Sequence, residues 1–387
     1  MKLIEVKSKK EERDFHELPF YIYAEDSNWI PHLKQDIQGK FNPDQNKFYD
    51  GTNAVRYLVY NDQHKCVGRV AAFVNHETSH TYDQPTGGIG FFDCVNDQTA
   101  ANILFEASIN WLKARGMEAM DGPINFGERD QFWGLLTENF TDPNVYGMNY
   151  NLPYYQELFE NFGFKTYFNQ YVFRRDVHIK VQPVFVRKYN QVMKDPEYRI
   201  ANVRGFSKAD IARNLCAVYN GAWGGYSDFK ELTYEGALEL VTKMKPVMDP
   251  DIIIFIYKND APIGFYVNLP ELNEIFQYVN GNLNWLGKLK FLYYKWAKRP
   301  STMVGVVFGV IKEYQGKGVE GAMIKWAEDN VIPMGVYHNT VLTWIGDFNP
   351  KMLTVTKYIG AEKYRTLVTY RYLFDRNKAF ERCPVVE

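Results

Sequence analysis

A short glycine-containing stretch is the segment with the clearest chemical potential. Gln315-Gly316-Lys317-Gly318 follows a β-branched run and precedes an amphipathic segment that reaches about residue 330. Because glycine permits a positive φ and a close backbone approach, successive N–H groups of such a loop can converge on one anion. A following helix adds its unpaired N-terminal amides and the positive end of its dipole. The pattern predicts a pyrophosphate site, although a plain strand–turn–helix connection uses the same glycines.

A second stretch matches a metal-binding pattern letter by letter. His76-Glu77-Thr78-Ser79-His80 has the HExxH spacing of zinc peptidases, which need both histidines on one helix face and a third ligand. The stretch directly follows an apolar strand and precedes TYDQPTGG, which leaves little room for a helix. This context favours a solvated loop, and we expect no metal.

Composition limits the partners. The 387 residues, 46% of them hydrophobic, suit two domains of about 190 residues each. The formal charge of −1 lacks the basic excess of a polyanion binder, so we expect no nucleic-acid partner. The four cysteines are scattered, as in reduced cores. The charged start lacks an apolar signal region and the apolar runs have only strand length, so we expect a cytoplasmic protein with no membrane partner.

Hydrophobic periodicity predicts one order of elements in both halves. The first half has a hairpin at 54–75, a strand at 90–94, a helix up to 116, a strand near 117–120, a helix near 153–162 and an aromatic closing strand. The second half has a strand at 198–206, helices at 207–222 and 231–247, a hairpin at 251–269, a strand at 302–310, a helix to 330, a strand at 340–346, a helix at 350–359 and a final pair of strands at 361–375.

Two anchors indicate an internal duplication. VGRVAAFVN aligns with IGFYVNLP and places Gly68 opposite Gly264, an offset of 264 − 68 = 196. YYQELFENFGFKTY aligns with MLTVTKYIGAEKY and places Gly163 opposite Gly360, an offset of 360 − 163 = 197. Two independent anchors with nearly one offset predict two domains built on the same plan.

The glycine loop carries a family resemblance. VIKEYQGKGV resembles the acyl-CoA signature of the GNAT superfamily, Gln/Arg-x-x-Gly-x-Gly/Ala after the fourth strand. Gln315 and Gly318 match its first two fixed positions, and Glu320 stands at the third. The resemblance implies that acetyl-CoA or another acyl-CoA binds here as co-substrate, with its pyrophosphate on the amides of 316–320 and its pantetheine along 306–310. The implied CoA-binding residues are Phe308, Val310, Gln315, Gly316, Lys317, Gly318, Val319, Glu320 and Asn349.

A second motif strengthens the resemblance. FNPKMLTVTKYIGAEKY is similar to the closing motif of the superfamily, with Asn349 at its Asn and Gly360 at its Gly. The tyrosine that often protonates the departing CoA thiolate in the family falls at Thr356. Tyr358, roughly 200° further round a helix, is the remaining tyrosine candidate for that catalytic role.

The resemblance extends to the whole chain, which is similar to a bacterial group of tandem GNAT-like proteins. We predict the α/β class, with tandem GNAT-like domains at 1–178 and 190–387, each a mixed, mostly antiparallel sheet flanked by helices. In the first domain Cys94-Val95-Asn96-Asp97-Gln98 replaces the glycine loop, and an aspartate cap would occupy the amides that a phosphate needs. Acyl-CoA is therefore expected to bind in the second domain alone.

The resemblance also implies an acceptor pocket in the second domain. Asn220, Trp223, Asn268 and Asn273 are candidate substrate contacts, although packing explains them equally well. Glu271 is the candidate general base, because an acceptor ammonium must lose a proton before it attacks a thioester.

The predicted function is direct acyl transfer from acyl-CoA to a small-molecule or peptide amine. The alternatives are a GNAT-like protein that binds CoA or another ligand without catalysis, and an aminoacyltransferase that uses charged tRNA. The sequence indicates neither the acceptor nor the oligomeric state. The aromatic segment 276–299 fits a packed amphipathic insertion better than a flap over acyl-CoA.

Overall fold

The structure, a computed structural model, describes residues 1–81, 84–127, 129, 131–224 and 230–385. The first half consists of β1 (Lys2–Glu5), α1 (Lys9–Ile22), α2 (Lys34–Lys40), β2 (Ala54–Tyr60), β3 (Cys66–Phe73), β4 (Thr86–Cys94), α3 (Gln98–Lys113), β5 (Ala119–Gly122), β6 (Leu135–Glu138), α4 (Tyr155–Phe162) and β7 (Lys165–Asp176). The connecting helix is α5 (Pro183–Val192).

The second half repeats this order with additional helices. It consists of β8 (Tyr198–Asn202), α6 (Lys208–Trp223), α7 (Tyr234–Met244), β9 (Ile253–Lys258), β10 (Ala261–Pro270), α8 (Asn273–Phe276), α9 (Trp285–Ala297), β11 (Thr302–Val310), α10 (Val319–Asn330), β12 (Asn339–Gly346), α11 (Pro350–Tyr358) and β13 (Glu362–Leu373). No helix in the described part of the chain combines the length and apolarity needed to cross a bilayer.

All thirteen strands of the described residues belong to one sheet, in the order β1-β2-β3-β4-β5-β13-β7-β12-β11-β10-β9-β8, with β6 paired to β13. The last strand of each half lies in the middle of this sheet. β13 pairs with β5 of the first half, and β7 pairs with β12 of the second half, both antiparallel. Each half is therefore completed by a strand from the other half.

Alternation along the strands places helices on both faces of the second half. Ile254 and Ile256 of β9 belong to the core cluster with α10, whereas Ile253 and Phe255 belong to the cluster with α6 and α7. The strands are apolar on both sides because both faces are covered. This layering confirms the predicted α/β class and the mixed sheet flanked by helices.

The duplication is visible in the elements themselves. Gly68 lies in β3 and Gly264 in β10, the second strands of the two hairpins. Gly163 (φ 106°) and Gly360 (φ 71°) both follow a helix and precede the last strand of their half. β7 and β13 match at the same offset, since 362 − 165 = 197 and 373 − 176 = 197.

Two predictions about organisation differ in outcome. The final pair of strands predicted at 361–375 is wrong, because one continuous strand, β13, spans this region. The domain limits 1–178 and 190–387 stay predictions. In the sheet, β13 lies between β5 and β7 of the first range, and β7 lies between β13 and β12 of the second range.

Candidate functional site

The glycine loop has the predicted strand–loop–helix geometry. β11 leads through a short 3₁₀ turn at 312–314 into the loop, and α10 begins directly after it. The side-chain amide of Gln315 donates a hydrogen bond to the backbone oxygen of Val310 at 2.9 Å, which fastens the loop to the strand. Gly316 (φ 72°) and Gly318 (φ 91°) adopt left-handed conformations that favour glycine. The first N–H groups of α10 have no intrahelical acceptor and point toward the loop.

Helix α5 contributes a cation that the sequence patterns did not reveal. A Cβ atom built on Gly318 would lie 2.6 Å from Cδ of Lys188, so the lysine stem runs along the loop. Lys317 extends over the ring of Tyr314, with Nζ 5.3 Å from the ring centroid. Two lysines therefore border the loop. Lys188 is 130 residues away in sequence (318 − 188), and no local motif connects it to the glycines.

A carboxylate occupies the other side of the loop. Glu320, in the first turn of α10, accepts a hydrogen bond from the backbone N–H of Gly316 at 3.4 Å. The residue at the third signature position thus uses a loop amide that a phosphate could use. Its negative charge favours the helix N-terminus and opposes a bound anion.

A groove opens where β11 and β12 separate. The two parallel strands are paired only over Thr302–Gly305 in β11. A register shift against β10 leaves Val306 as a bulge, which turns β11 away from its neighbour. Beyond this point lies a cavity of about 470 Å³, a volume typical of small-molecule sites. Its apolar lining includes Val177, Val181, Val306, Phe308, Ile324, Ile332, Met352, Val355 and Ile359.

One tyrosine in the groove was missed from the sequence. Tyr266 of β10 lines the cavity and lies edge-on to Phe308, with ring centroids 5.3 Å apart. Burial raises the pKa of Tyr266, so its phenol is protonated at neutral pH. The residue stands within the apolar run IGFYVNLP, where no motif distinguishes it from a core aromatic.

The closing-motif residues divide between the groove and the surface. Asn349 caps α11 by accepting a hydrogen bond from the N–H of Met352, and its side chain lines the cavity. Thr356 also lines the cavity and is buried. Tyr358 is 57% exposed and is not among the lining residues, so its proposed acid role stays a prediction without geometric support.

Glu271 lies beyond the end of β10, where the two halves meet. Its Oε1 accepts hydrogen bonds from the N–H groups of Tyr146 and Asn273, both at 2.9 Å. The side-chain amide of Asn273 donates to the backbone oxygen of Asn144 at 2.7 Å. Burial raises the pKa of Glu271 to about 7. The groove lining does not include Glu271, so its role as general base stays a prediction.

The other candidate acceptor contacts are engaged in packing. Asn220 both donates to and accepts from the backbone of Leu232, which fixes the start of the α7 region. Trp223, the last residue of α6, stacks on Phe265 of β10, with ring centroids 5.9 Å apart. Asn268 is buried and donates to the backbone oxygen of Ile252 at 3.0 Å. Their contact with a substrate stays a prediction.

The corresponding region of the first half has a different construction. The carboxylate of Asp97 accepts hydrogen bonds from the N–H groups of Thr99 and Ala100, as predicted for a helix cap. The space between β4 and β5 is crossed by the chain, because the N–H of Ile124 donates to the backbone oxygen of Ile89 at 2.7 Å. The two halves therefore differ both at the loop and at the groove.

The HExxH stretch forms turns rather than a helix. His76 lies 3.5 Å from a carboxylate oxygen of Asp50, and Glu77 pairs with Lys230 at 2.6 Å. The described residues contain no cluster of three metal-ligating side chains. The zinc-peptidase geometry requires both histidines on one helix face, which this backbone does not provide.

Two bacterial proteins are similar to the chain in sequence over nearly its whole length. No protein-family model matches the sequence. The chain is 25% identical over 376 residues to the bacterial ceramide synthase of Caulobacter vibrioides, covering 96% of this chain and 97% of that protein. It is also 25% identical over 374 residues to protein YghO of Escherichia coli, covering 94% and 93%.

Solved structures resemble the chain over nearly its whole length. A tandem GNAT protein from the clavulanic acid biosynthesis pathway superposes with a TM-score of 0.54 and 10% identity, covering 96% of this chain and 98% of that one. A fungal multi-domain protein with a GCN5-related glucosamine N-acetyltransferase region gives a TM-score of 0.55 at 12% identity; the match spans 96% of this chain but 38% of that protein. The fold of the chain is the tandem GNAT fold.

Proposed function

We propose that the second half transfers a long-chain acyl group from acyl-CoA to an amine. The groove between β11 and β12 carries this proposal, because β11 lines a large apolar cavity and then leads into the glycine loop before α10. The Caulobacter relative is named a ceramide synthase, and a ceramide is the amide of a fatty acid and a long-chain amino alcohol. Similarity to that protein over both chains supports a lipid amine as the acceptor class.

The donor would bind along an edge that is already extended. Past Gly305, β11 has no pairing with β12, so its backbone groups on that side face the groove. Amide groups of pantetheine can continue such an edge as an added strand. The pyrophosphate would then meet the Gly316–Gly318 loop, the N-terminus of α10 and the ammonium groups of Lys188 and Lys317.

The acyl chain would fill the apolar part of the groove. The lining continues past Phe308 onto α11, where Met352 and Val355 present side chains to the cavity. An acetyl group would leave most of this surface exposed to water, whereas each buried methylene of a longer chain contributes about 0.8 kcal/mol. This difference favours a long-chain donor.

The chemistry requires one proton to leave and one to arrive. The amine nitrogen attacks the thioester carbonyl, a C–N bond forms, and the C–S bond breaks to release a thiolate. The amine gives up one proton to solvent or a base, and the thiolate takes one. Tyr266 is a protonated phenol in the groove lining, and we assign it the role of proton donor to the departing thiolate. Holding both reactants in one groove supplies the proximity that direct transfer needs.

A chain-length series tests the proposal. Purified protein is given saturated acyl-CoA donors from acetyl to stearoyl together with a long-chain amino alcohol, and thiol release and amide mass are measured. Turnover should rise with chain length. Val355→Arg, which places a charge at the groove mouth, should abolish long-chain transfer. The control Thr354→Arg adds the same charge to α11 at an exposed position that is not among the groove-lining residues.

Three results would contradict the proposal. Acetyl-CoA could be the preferred donor, or Val355→Arg could behave as Thr354→Arg does. Tight CoA binding without amide formation from any amine would instead support a ligand-binding protein without transferase activity.

A further inference from the structure

Helix α9 displays an apolar surface toward solvent. Trp285 is 70% exposed and Trp296 is 82% exposed, and four more large side chains of the helix are also exposed: Leu286, Leu289, Leu292 and Tyr293. At 100° per residue these six positions fall within one arc of roughly 120°. Contiguous apolar surface of this kind marks a binding site rather than an ordinary exterior.

The opposite face of α9 is fixed to the protein. The ring of Tyr294 stacks on Tyr278 with centroids 3.9 Å apart, and Phe291 stacks on Phe276 at 5.5 Å. Gly287 sits so close that a Cβ atom would lie 1.9 Å from the backbone oxygen of Asn282. The side chain of Asn284 caps the helix by accepting the N–H of Gly287. The helix therefore cannot turn its tryptophans inward.

Basic residues border the apolar arc on both sides. Lys288 and Lys295 follow one flank at helical spacing, and Lys290 follows the other. The sequence from 275 to 312 contains six lysine or arginine residues and no acidic residue, in a chain whose overall formal charge is −1. Lys288, Lys290 and Lys298 form no ion pair with the described residues. The charge of this segment complements an anionic surface.

We propose that α9 is an interfacial membrane helix that docks the protein on a bilayer containing anionic phospholipid. Its tryptophans and leucines would lie at the boundary between headgroups and acyl chains, and its lysines would contact the phosphates. A protein partner would bury the same arc, but tryptophan at both ends of an apolar face with basic flanks is the pattern of a membrane interface. The strand-length apolar runs predict no membrane partner, and the exposed face of α9 argues against that prediction.

The position of α9 determines which part of the protein would face the bilayer. The helix ends at Ala297, and β11, the strand that walls the groove, begins five residues later at Thr302. A protein docked through α9 holds this strand next to the bilayer, where long-chain amines and acyl chains reside. The binding inference itself does not require the proposed transferase activity.

Vesicle sedimentation with the full-length protein tests the inference. Vesicles of phosphatidylcholine alone are compared with vesicles that contain phosphatidylglycerol at roughly one third, at low and high salt. We expect binding to the anionic vesicles that weakens as salt increases. Leu289→Glu and Trp296→Glu should each weaken this binding by about tenfold or more. Leu240→Glu is the matched control, since Leu240 is an exposed leucine on another helix, α7.

Other outcomes would overturn the inference. The wild-type protein could fail to bind either vesicle, or Leu240→Glu could lose as much binding as Leu289→Glu. A change from dimer to monomer in Leu289→Glu, with no vesicle binding by the parent, would assign the face to a second copy of the chain. Circular dichroism and thermal unfolding of each variant separate lost docking from lost folding.

Discussion

The carboxylate of Glu320 accepts a hydrogen bond from the backbone N–H of Gly316, and so the loop carries its own anion. A pyrophosphate that binds the same amides must displace this contact and tolerate the charge. We predict that Glu320→Gln binds CoA more tightly than the parent, by roughly threefold to tenfold, the effect of removing about 1 kcal/mol of repulsion. Calorimetry with CoA measures the change.

Glu313→Gln is the control for this substitution, because Glu313 is exposed on the 3₁₀ turn just before the loop. An equal gain in both variants would reflect net charge alone. Weaker binding in Glu320→Gln would mean that the carboxylate orders the loop rather than competes for it.

Gly318→Asp should abolish CoA binding while the protein remains folded. The substitution places a side chain at φ 91° and 2.6 Å from the Lys188 stem, and it adds a negative charge beside the phosphate position. Gly335→Asp controls for backbone strain, since Gly335 has φ 69° and open space around its Cβ position. The parent should bind one CoA per chain in calorimetry, and two equal sites would refute the asymmetry between the halves.

Tyr266→Phe should lower the turnover by about a hundredfold or more, because the phenol that we assign to the departing thiolate is removed. Acyl-CoA affinity should stay near that of the parent, since the ring remains in place. Tyr198→Phe serves as the control in the same core cluster, as Tyr198 does not line the groove. Unchanged turnover would leave the protonation to water or to Tyr358.

Glu271 makes the stability of the protein depend on pH. Its pKa of about 7 in the folded state exceeds the ordinary value of 4.5, so the folded protein retains a proton that the unfolded chain releases. The resulting stabilisation is complete below pH 4.5 and is lost as the pH rises through 7. Glu271→Gln is neutral throughout and should be the more stable form at pH 8.5, by at most about 3 kcal/mol in urea unfolding. Glu362→Gln, at an exposed position, should show no such difference.

The same Glu271→Gln variant tests the proposed general base. If Glu271 removes the proton of the acceptor, turnover should fall by about 10² to 10⁴ while acyl-CoA affinity stays unchanged. A change in stability with normal turnover would mean that Glu271 has only a structural role, at the contact between the two halves.

Residues 190–387 expressed alone should fail to fold. They lack β7, which pairs with β12 over Asn339–Gly346, and would leave β13 without its neighbours β5 and β7. An open central edge of this length promotes aggregation. Coexpression with residues 1–189 should restore a soluble complex, as judged by size-exclusion chromatography. Cooperative unfolding of the isolated 190–387 fragment would contradict the prediction.

Local signals predicted the elements that position the loop. The β-branched run before Gln315 predicted a strand at 302–310, which are the observed limits of β11. Glycine marked the helix ends at Gly163 and Gly360. These features depend on backbone preferences that act within a few residues.

Long-range contacts were not predictable from such signals. Arg371 pairs with Asp121, which is 250 residues away, and this ion pair lies in the middle of the sheet. Arg365 and Arg371 are buried within β13, the single continuous strand where two strands were predicted. The contact of Lys188 with the glycine loop depends on the packing of α5 against α10. In each case tertiary packing selects residues that no local pattern marks.

The antiparallel pair β7–β13 gives the chain the symmetry of a two-fold dimer interface within one polypeptide. The two strands are the same element of the repeat. Each half therefore adds its last strand to the sheet of the other half. A half in this arrangement can lose a ligand-binding site and still be required for folding, because the other half needs its strand. The half that lacks the glycine loop supplies β7 to the sheet of the half that keeps it, within the same polypeptide.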